Sequence, residues 1–266
     1  MSRIGIIAGS GPLPILAARE AKASGRTVIV VAIREEADPA VEAVADHLHW
    51  VGVGQLGGLI RAFKRNGVSE AVMVGKVRMS HLFSRVRPDV RGAMLYMRLK
   101  DRRGDSIMEA VAEDLQQAGI SLLDCTRFLT RVLVEQGVLT RRAPTAREWE
   151  DIRFGQEVAR TVAQSKIGQT VVVKNGTVLA VEAIEGTDAA VRRGAELGRE
   201  GVVVVKASRP EHDFRFDVPV IGPTTIAVLR EVRGTALAVE AKRTLLLDRE
   251  EALALADEAG ITVVAA

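Results

Sequence analysis

The densest chemistry in the chain lies in one stretch, Lys206 to Thr225 (KASRPEHDFRFDVPVIGPTT). Within a dozen residues it sets two carboxylates (Asp213, Asp217), three cations (Lys206, Arg209, Arg215) and one histidine (His212). The apolar run from Gly201 to Val205 just before it reads as a buried strand. Charges of both signs at a strand end suit a phosphate-handling site with a metal. Cations offset the phosphate oxygens, and a carboxylate holds the metal or orients water. A solvated loop has the same composition, with Pro219 and Gly222-Pro223 as its breakers. His212 beside Asp213 is the best substitute base, and it reads equally as a surface turn histidine.

Other residues could join that chemistry. Glu182, Glu185 and Asp188 supply oxygens of the kind a hard cation such as Mg²⁺ takes. Thr187 or Asp188 reads equally as the cap of a helix over 189–199. Gly9, Ser10 and Gly11 follow an apolar run, Arg3 to Ala8, and precede a helical pattern. That arrangement places backbone N–H groups where phosphate binds. The third position of the dinucleotide fingerprint is Pro14 here, although Glu35 and Glu36 stand where a ribose-binding acid is found. A second loop, Gly52-Val-Gly54-Gln-Leu-Gly57, fits the fingerprint literally, but no acid follows about 20 residues on. That region holds Lys76, at the C-terminal end of strand Glu70–Val74, where open α/β sheets bind ligands. Asp105, near the start of a helix to Ala118, and Asp124, after strand Ile120–Leu123, are further candidate contacts.

From Lys76 to Arg103 nine cations face two acids, a local excess of +7. Leu82, Phe83, Met94, Leu95, Tyr96 and Met97 are interleaved with them. A basic, amphipathic segment suits an anionic lipid or a membrane interface, or a helix packed on the sheet by its apolar face.

These residues need a scaffold, and the composition points to one. Hydrophobic residues make up 47% of the 266 and aromatics 3%, so the cores are aliphatic, as in α/β proteins. The single cysteine, Cys125, excludes an intramolecular disulfide and a cysteine-rich zinc site. No apolar run approaches the roughly 20 residues of a membrane span, and Gly9-Ser10-Gly11 interrupts the first apolar segment too early for a secretory signal. A cytoplasmic protein is expected.

The element pattern gives two units. The first opens β-loop-α-β (Arg3–Ala8, a helix ending at Gly25, Thr27–Ile33), the start of a doubly wound sheet. It continues with strands at His49–Val53, Glu70–Val74 and Ile120–Leu123. A linker is expected over Leu139–Thr145, dividing the chain into domains 1–138 and 139–266. The second unit starts with a capping box, Thr145 with Glu148, and a hairpin turning at Asn175-Gly176. Alternating strands and helices follow, and Asp248 with Glu251 reads as a second reciprocal cap.

Seven strings occur together: GIIAGSGPLP, VGVGQLGGLI, VMVGKV, RGDSIMEAVAEDL, GVLTRR, IGQTVVVKNGTVLAVEAIEGTDA and RFDVPVIGPTTI. In that order and spacing, from residue 4 to about 264, the chain resembles the LpxI family of UDP-2,3-diacylglucosamine diphosphatases. The resemblance implies an α/β fold with an N-terminal Rossmann-like parallel-sheet domain, a C-terminal α/β domain, and the lipid product held between them. It implies Mg²⁺-dependent hydrolysis of UDP-2,3-diacylglucosamine to 2,3-diacylglucosamine 1-phosphate (lipid X) and UMP in lipid A synthesis, with water attacking the UMP-side phosphorus. It also implies a cytoplasmic enzyme of Gram-negative cells, peripheral to the inner membrane, able to dimerise, with no nucleic-acid partner. The family's Arg-x-Asp-x-Pro string is Arg215-Phe-Asp217-Val-Pro219 here, which carries catalysis onto Asp217. Asp217, Asp188 and Glu185 are then the candidate metal ligands. Gly9, Ser10, Gly11, Lys76, Asp105, Asp124, Thr187, Lys206 and Arg215 are the candidate substrate contacts. Two alternatives stand beside this: a dinucleotide-dependent oxidoreductase using the glycine loops, and a non-catalytic module binding anionic lipid or RNA through the basic stretch.

Overall fold

The computed structural model describes residues 2–77, 87–99, 104–208, 214–216 and 218–266. Among these, residues up to Leu129 together with the 214–216 segment form one compact unit. Residues from Thr130 to Ser208 and from Val218 onward form the other.

The first unit is built on five strands: β1 (Arg3–Ala8), β2 (Thr27–Ile33), β3 (His47–Val51), β4 (Glu70–Val74) and β5 (Ser121–Leu122). All pair in parallel in the order β3-β2-β1-β4-β5. This is the doubly wound order, with its switch point between β1 and β4. Helices α1 (Leu13–Ala23), α2 (Leu56–Arg65), α3 (Val90–Arg98) and α4 (Gly104–Gln117) flank it. A sheet covered on both faces needs continuous apolar strands, and TVIVVAI of β2 is buried at every position after Thr27. Strand β3 lies two residues earlier than the sequence suggests. The amides of Gly52 and Val53 are taken instead by side chains, Gln55 Oε1 at 2.8 Å and Glu35 Oε2 at 3.2 Å, which ends the strand.

The second unit holds a six-stranded sheet ordered β6-β13-β11-β9-β7-β8: β6 (Gly137–Val138), β7 (Thr170–Lys174), β8 (Thr177–Val181), β9 (Val203–Lys206), β11 (Ala236–Val239) and β13 (Thr262–Ala265). Beside it β10 (Val220–Ile221) pairs in parallel with β12 (Leu245–Leu246). Successive side chains of the sheet point to opposite faces. Val171, Val173, Val203 and Val205 pack with Ile152 and Ala159 of α5 (Ala146–Gln164). Val172, Val204, Leu237 and Val263 pack on the other face under α6 (Thr187–Gly198), α7 (Pro223–Glu231) and α8 (Arg249–Glu258).

Three expectations are corrected. The stretch 139–145 is not a linker. It follows β6, which pairs with β13, and Thr140 Oγ1 accepts the Val263 amide at 3.0 Å, so the boundary moves from 138/139 to 129/130. Asp248 sits at φ +45° and makes no capping bond to α8. Neither Thr187 nor Asp188 caps α6, whose N-cap is Gly186. The capping box of α5 is present as expected, Thr145 with Glu148. Asp151 accepts the amides of both hairpin residues, Asn175 at 3.0 Å and Gly176 at 2.6 Å.

Candidate active site

The carboxyl edge of the first sheet brings Ser10 and Lys76 together at the switch point. Ser10 N donates to Lys76 O at 2.8 Å, Lys76 N to Ser10 O at 3.1 Å, and Ser10 Oγ to Lys76 O at 2.8 Å. Gly9 N donates to Val74 O. The glycine loop therefore uses its first two amides to lock β1 to β4, and the Lys76 side chain stays exposed over that lock. Glycine is required on both sides. A Cβ on Gly9 would stand 2.7 Å from Lys76 O, and one on Gly75, at φ +92°, 2.7 Å from Ser10 O.

The second glycine loop is filled from within. Asp89 Oδ2 accepts Gly58 N at the start of α2, and Asp89 Oδ1 accepts Gly92 N at the start of α3, both at 2.9 Å. Burial pushes this carboxyl up, but the amides of Gly92, Gly58 and Gly57, with Arg61, outweigh it and hold Asp89 below the ordinary aspartate range. A helix N-terminus that would take a pyrophosphate thus holds the protein's own carboxylate. Glu35, placed like a ribose-binding acid, is spent on Val53 N. The literal fingerprint is a structural turn, which removes the main support for a dinucleotide enzyme.

Asp124 caps a short 3₁₀ turn, Cys125–Phe128, by accepting Thr126 N and Thr126 Oγ1, each at 2.7 Å. The next amide, Cys125 N, donates to Phe214 O at 3.1 Å. The central stretch therefore sends residues 214–216 into the first unit. Phe216 packs against its core, and Arg215 lies over the Phe216 ring at 5.0 Å from the centroid. Asp124 and Arg215 share this neighbourhood. Asp217 lies outside the described residues, as do Arg209, His212 and Asp213. Of Asp105 the structure describes only its place in the first turn of α4.

On the second sheet, the carboxyl ends of β8 and β9, the start of β7 and the start of α6 share one edge. Here Thr187 and Lys206 do meet. Lys206 Nζ donates to Thr187 Oγ1 at 3.3 Å and to Val220 O at 3.4 Å, and Thr187 Oγ1 donates to Glu182 Oε1 at 2.9 Å. Glu185 turns away: it pairs with Arg193 at 2.5 Å and accepts Ala183 N at 3.2 Å. Its own backbone amide, then Arg193, holds its carboxyl below the glutamate range. Asp188 is exposed in the first turn of α6. Among the described residues no group of three or more His, Cys, Asp or Glu side chains is gathered to hold a metal.

The sequence reading passed over Glu240. It follows β11 as Lys206 ends β9, and an acid directly after a buried ALAV run was the available signal. Glu240 is 7% exposed, and its Oε2 accepts the backbone amide of Ser208 at 2.8 Å and also the Ser208 hydroxyl. Its Oε1 takes Arg160 Nε at 3.1 Å.

Comparison with known proteins decides the family. The LpxI N-terminal domain model matches residues 3–132 and the LpxI C-terminal domain model matches residues 135–264. The chain belongs to the LpxI family. It is 33% identical over 277 aligned positions to the UDP-2,3-diacylglucosamine pyrophosphatase LpxI of Caulobacter vibrioides, covering 99% of this chain and 97% of that one. Two solved structures match at much lower identity. CobK precorrin-6A reductase matches at 13% identity and TM-score 0.34, over 100% of this chain and 87% of that one. A biotin carboxylase from Campylobacter jejuni matches at 12% and 0.29, over 73% and 41%. Among the described residues no helix is long and apolar enough to cross a membrane.

Proposed function

We propose that this LpxI-family chain is a hydrolase that cleaves the diphosphate of UDP-2,3-diacylglucosamine. Its products are 2,3-diacylglucosamine 1-phosphate (lipid X) and UMP, and water attacks the UMP-side phosphorus. The observation that carries this reading is the full-length similarity to a protein named for that substrate. Asp217 is the catalytic residue of the proposal. It directly follows the 214–216 segment, which is fixed by the Cys125–Phe214 bond and by Phe216 in the first core.

The chain's cations have defined tasks in this reading. Lys206, held by Thr187 at the carboxyl edge of the second sheet, and Lys76, exposed at the switch point of the first, neutralise phosphate oxygens. Mg²⁺ belongs to the proposal as a further source of charge neutralisation. Mg²⁺ usually takes only one or two carboxylates and completes its shell with phosphate oxygens and water. Asp217 and Asp188 suit that role, whereas Glu185, paired with Arg193, does not fit.

The lipid side of the substrate has a matching feature. On α3, Val90 and Met97 are each 77% exposed and Met94 is 41% exposed, on one face of a helix bearing Arg98. This face is proposed to meet acyl chains at the inner-membrane surface. The deciding experiment is turnover of UDP-2,3-diacylglucosamine in ¹⁸O-labelled water with Mg²⁺ or with EDTA. The expected result is labelled UMP formed only with the metal. Label in the lipid phosphate overturns the attack site, and no turnover overturns the reading.

A further inference from the structure

We propose that Glu182 is a positioning residue of this reaction: through the Thr187 hydroxyl it fixes the Lys206 ammonium at the carboxyl edge of the second sheet. The inference rests on the hydrolase reading, in which Lys206 neutralises phosphate oxygens, and adds a residue to it.

Three elements meet at this edge. Glu182 directly follows β8, Thr187 opens α6, and Lys206 ends β9. The Glu182 carboxylate is held at both oxygens. Oε1 accepts the Thr187 hydroxyl at 2.9 Å, and Oε2 accepts the backbone amide of Gln169, just before β7, at 3.3 Å. Its backbone is fixed as well, because Glu182 N donates to Thr170 O at 2.9 Å. The loop before β7 approaches so closely that a Cβ on Gly168 would overlap Glu182 O. Only glycine at 168 therefore lets the Gln169 amide reach this carboxylate. Of the three carboxylates between 182 and 188, Glu182 is thus spent on the shape of the edge, as Glu185 is spent on Arg193.

The direction of these bonds follows from what each group can do. A carboxylate accepts, an ammonium donates, and a threonine hydroxyl has a single proton to give. Glu182 takes that proton, so the lone pairs of Thr187 Oγ1 are left to accept, and Lys206 Nζ donates to them at 3.3 Å. The fully buried Thr170 hydroxyl stands 3.5 Å from the same oxygen. Without the carboxylate, the Thr187 proton can rotate toward Lys206 and oppose the ammonium. The other described support of Lys206, Val220 O at 3.4 Å, is a backbone carbonyl and has no rotor to set. Of these two contacts Thr187 is the adjustable one, and Glu182 sets it. A charge aimed at a transferring phosphoryl group acts by being in place before the reaction. A misplacement of about 1 Å is enough to cost on the order of 100-fold in rate.

The test uses the full-length protein and UDP-2,3-diacylglucosamine, with wild-type turnover measured first; its absence would sink the hydrolase reading and this inference with it. Glu182→Gln and, separately, Thr187→Val are then compared alone and combined with Lys206→Met. In Glu182→Gln the Gln169 amide selects the side-chain oxygen, so the side-chain nitrogen turns to Thr187 and reverses that bond. The expected result is a fall in kcat of about 10- to 100-fold in each single variant, with KM changed far less. No further fall is expected when either change is added to Lys206→Met, since a group acting through Lys206 has nothing left to position. Wild-type kcat in Glu182→Gln would overturn the proposal. So would a loss that persists undiminished on top of Lys206→Met, or one explained entirely by a smaller folded fraction in thermal melts. Thr187→Val exchanges a hydroxyl for a methyl and leaves Glu182 on the Gln169 amide, so it answers the question if Glu182→Gln fails to fold. Wild-type kcat in that variant would mean that nothing passes from Glu182 to Lys206.

Discussion

Ser10 and Lys76 exchange backbone hydrogen bonds in both directions, and the Ser10 hydroxyl adds a third to Lys76 O. Two loops distant in sequence thereby close the crevice end of the first sheet. The closeness depends on missing side chains at Gly9 and Gly75.

Gly75→Ala should therefore be costly. It combines a left-handed φ, worth about 1–2 kcal/mol, with a backbone clash against Ser10 O, worth about 1–3 kcal/mol. Gly11→Ala carries only the first cost, since nothing lies within 4 Å of its Cβ position. Urea unfolding should rank Gly75→Ala well below Gly11→Ala, and equal stabilities would contradict the lock.

Asp89 joins two helix N-termini with one side chain. Asp89→Ala should lower stability by about 1–2 kcal/mol, the loss expected for a helix cap. The same variant should gain no affinity for NAD or FAD, because the loop around it is shaped to hold the carboxylate that caps α3. Fluorescence titration with both dinucleotides checks this, and saturable binding by the native protein would restore the oxidoreductase alternative.

Much of this scaffold was legible in the chain. Buried parallel strands write themselves as apolar runs, so RIGIIA, TVIVVAI and EAVMV were placed within a residue, and the hairpin turn falls at Asn175-Gly176. Helix caps were less legible. Thr145 with Glu148 and Asp248 with Glu251 have the same spacing, yet only the first forms, because Asp248 adopts a left-handed backbone. The second glycine loop misled for a related reason: Asp89, 31 residues beyond Gly58, occupies it, and no local pattern encodes that contact. Glu240 was missed because its meaning depends on Ser208, two residues past the end of the adjacent strand β9.

Glu148 gives a pH prediction. Burial raises its pKa, but bonds from Arg142 at 2.6 and 2.8 Å, with those from Thr145, outweigh this and bring it below the ordinary value of 4.5. The folded state binds the proton more weakly than the unfolded state, so this stabilisation is complete above pH 4.5 and fades as pH falls toward the lower folded value. Glu148→Gln should cost about 2–3 kcal/mol at pH 7, as for a hydrogen bond to a charged group. The gap between variant and native protein should narrow on acidification below 4.5. Denaturation curves at pH 7 and at several acidic values decide it, and a gap independent of pH would remove Glu148 ionisation from the account.

The basic stretch divides by role. Arg91 is paired with Asp114 at 2.5 Å and ties α3 to α4, so Arg91→Glu should destabilise the first unit. Arg98→Glu should leave the melting temperature within a degree or two while weakening association with anionic vesicles, since a basic residue near such a surface contributes about 1 kcal/mol. Met94→Asp with Met97→Asp should weaken vesicle binding further without unfolding, both residues being exposed. Co-sedimentation with phosphatidylglycerol vesicles measures this, and unchanged partition in both variants would make the α3 face an ordinary solvated surface.

Asp217 bears the largest prediction. Phe216 beside it is partly buried against the first core, and Val218, on its other side, is 8% exposed. The packing on either side of position 217 is supplied by Phe216 and Val218, so Asp217→Ala should fold with a near-native melting temperature. Phe216→Ala should not, since it removes a packed aromatic ring. If the Asp217 carboxylate acts chiefly in the transition state, its loss lowers kcat by orders of magnitude while substrate affinity changes little. Steady-state hydrolysis of UDP-2,3-diacylglucosamine, with binding measured separately on the inactive variant, distinguishes the outcomes. A fall confined to KM would make Asp217 a substrate-binding group. A near-native rate would move the chemistry to the Lys206–Thr187–Glu182 edge of the second sheet.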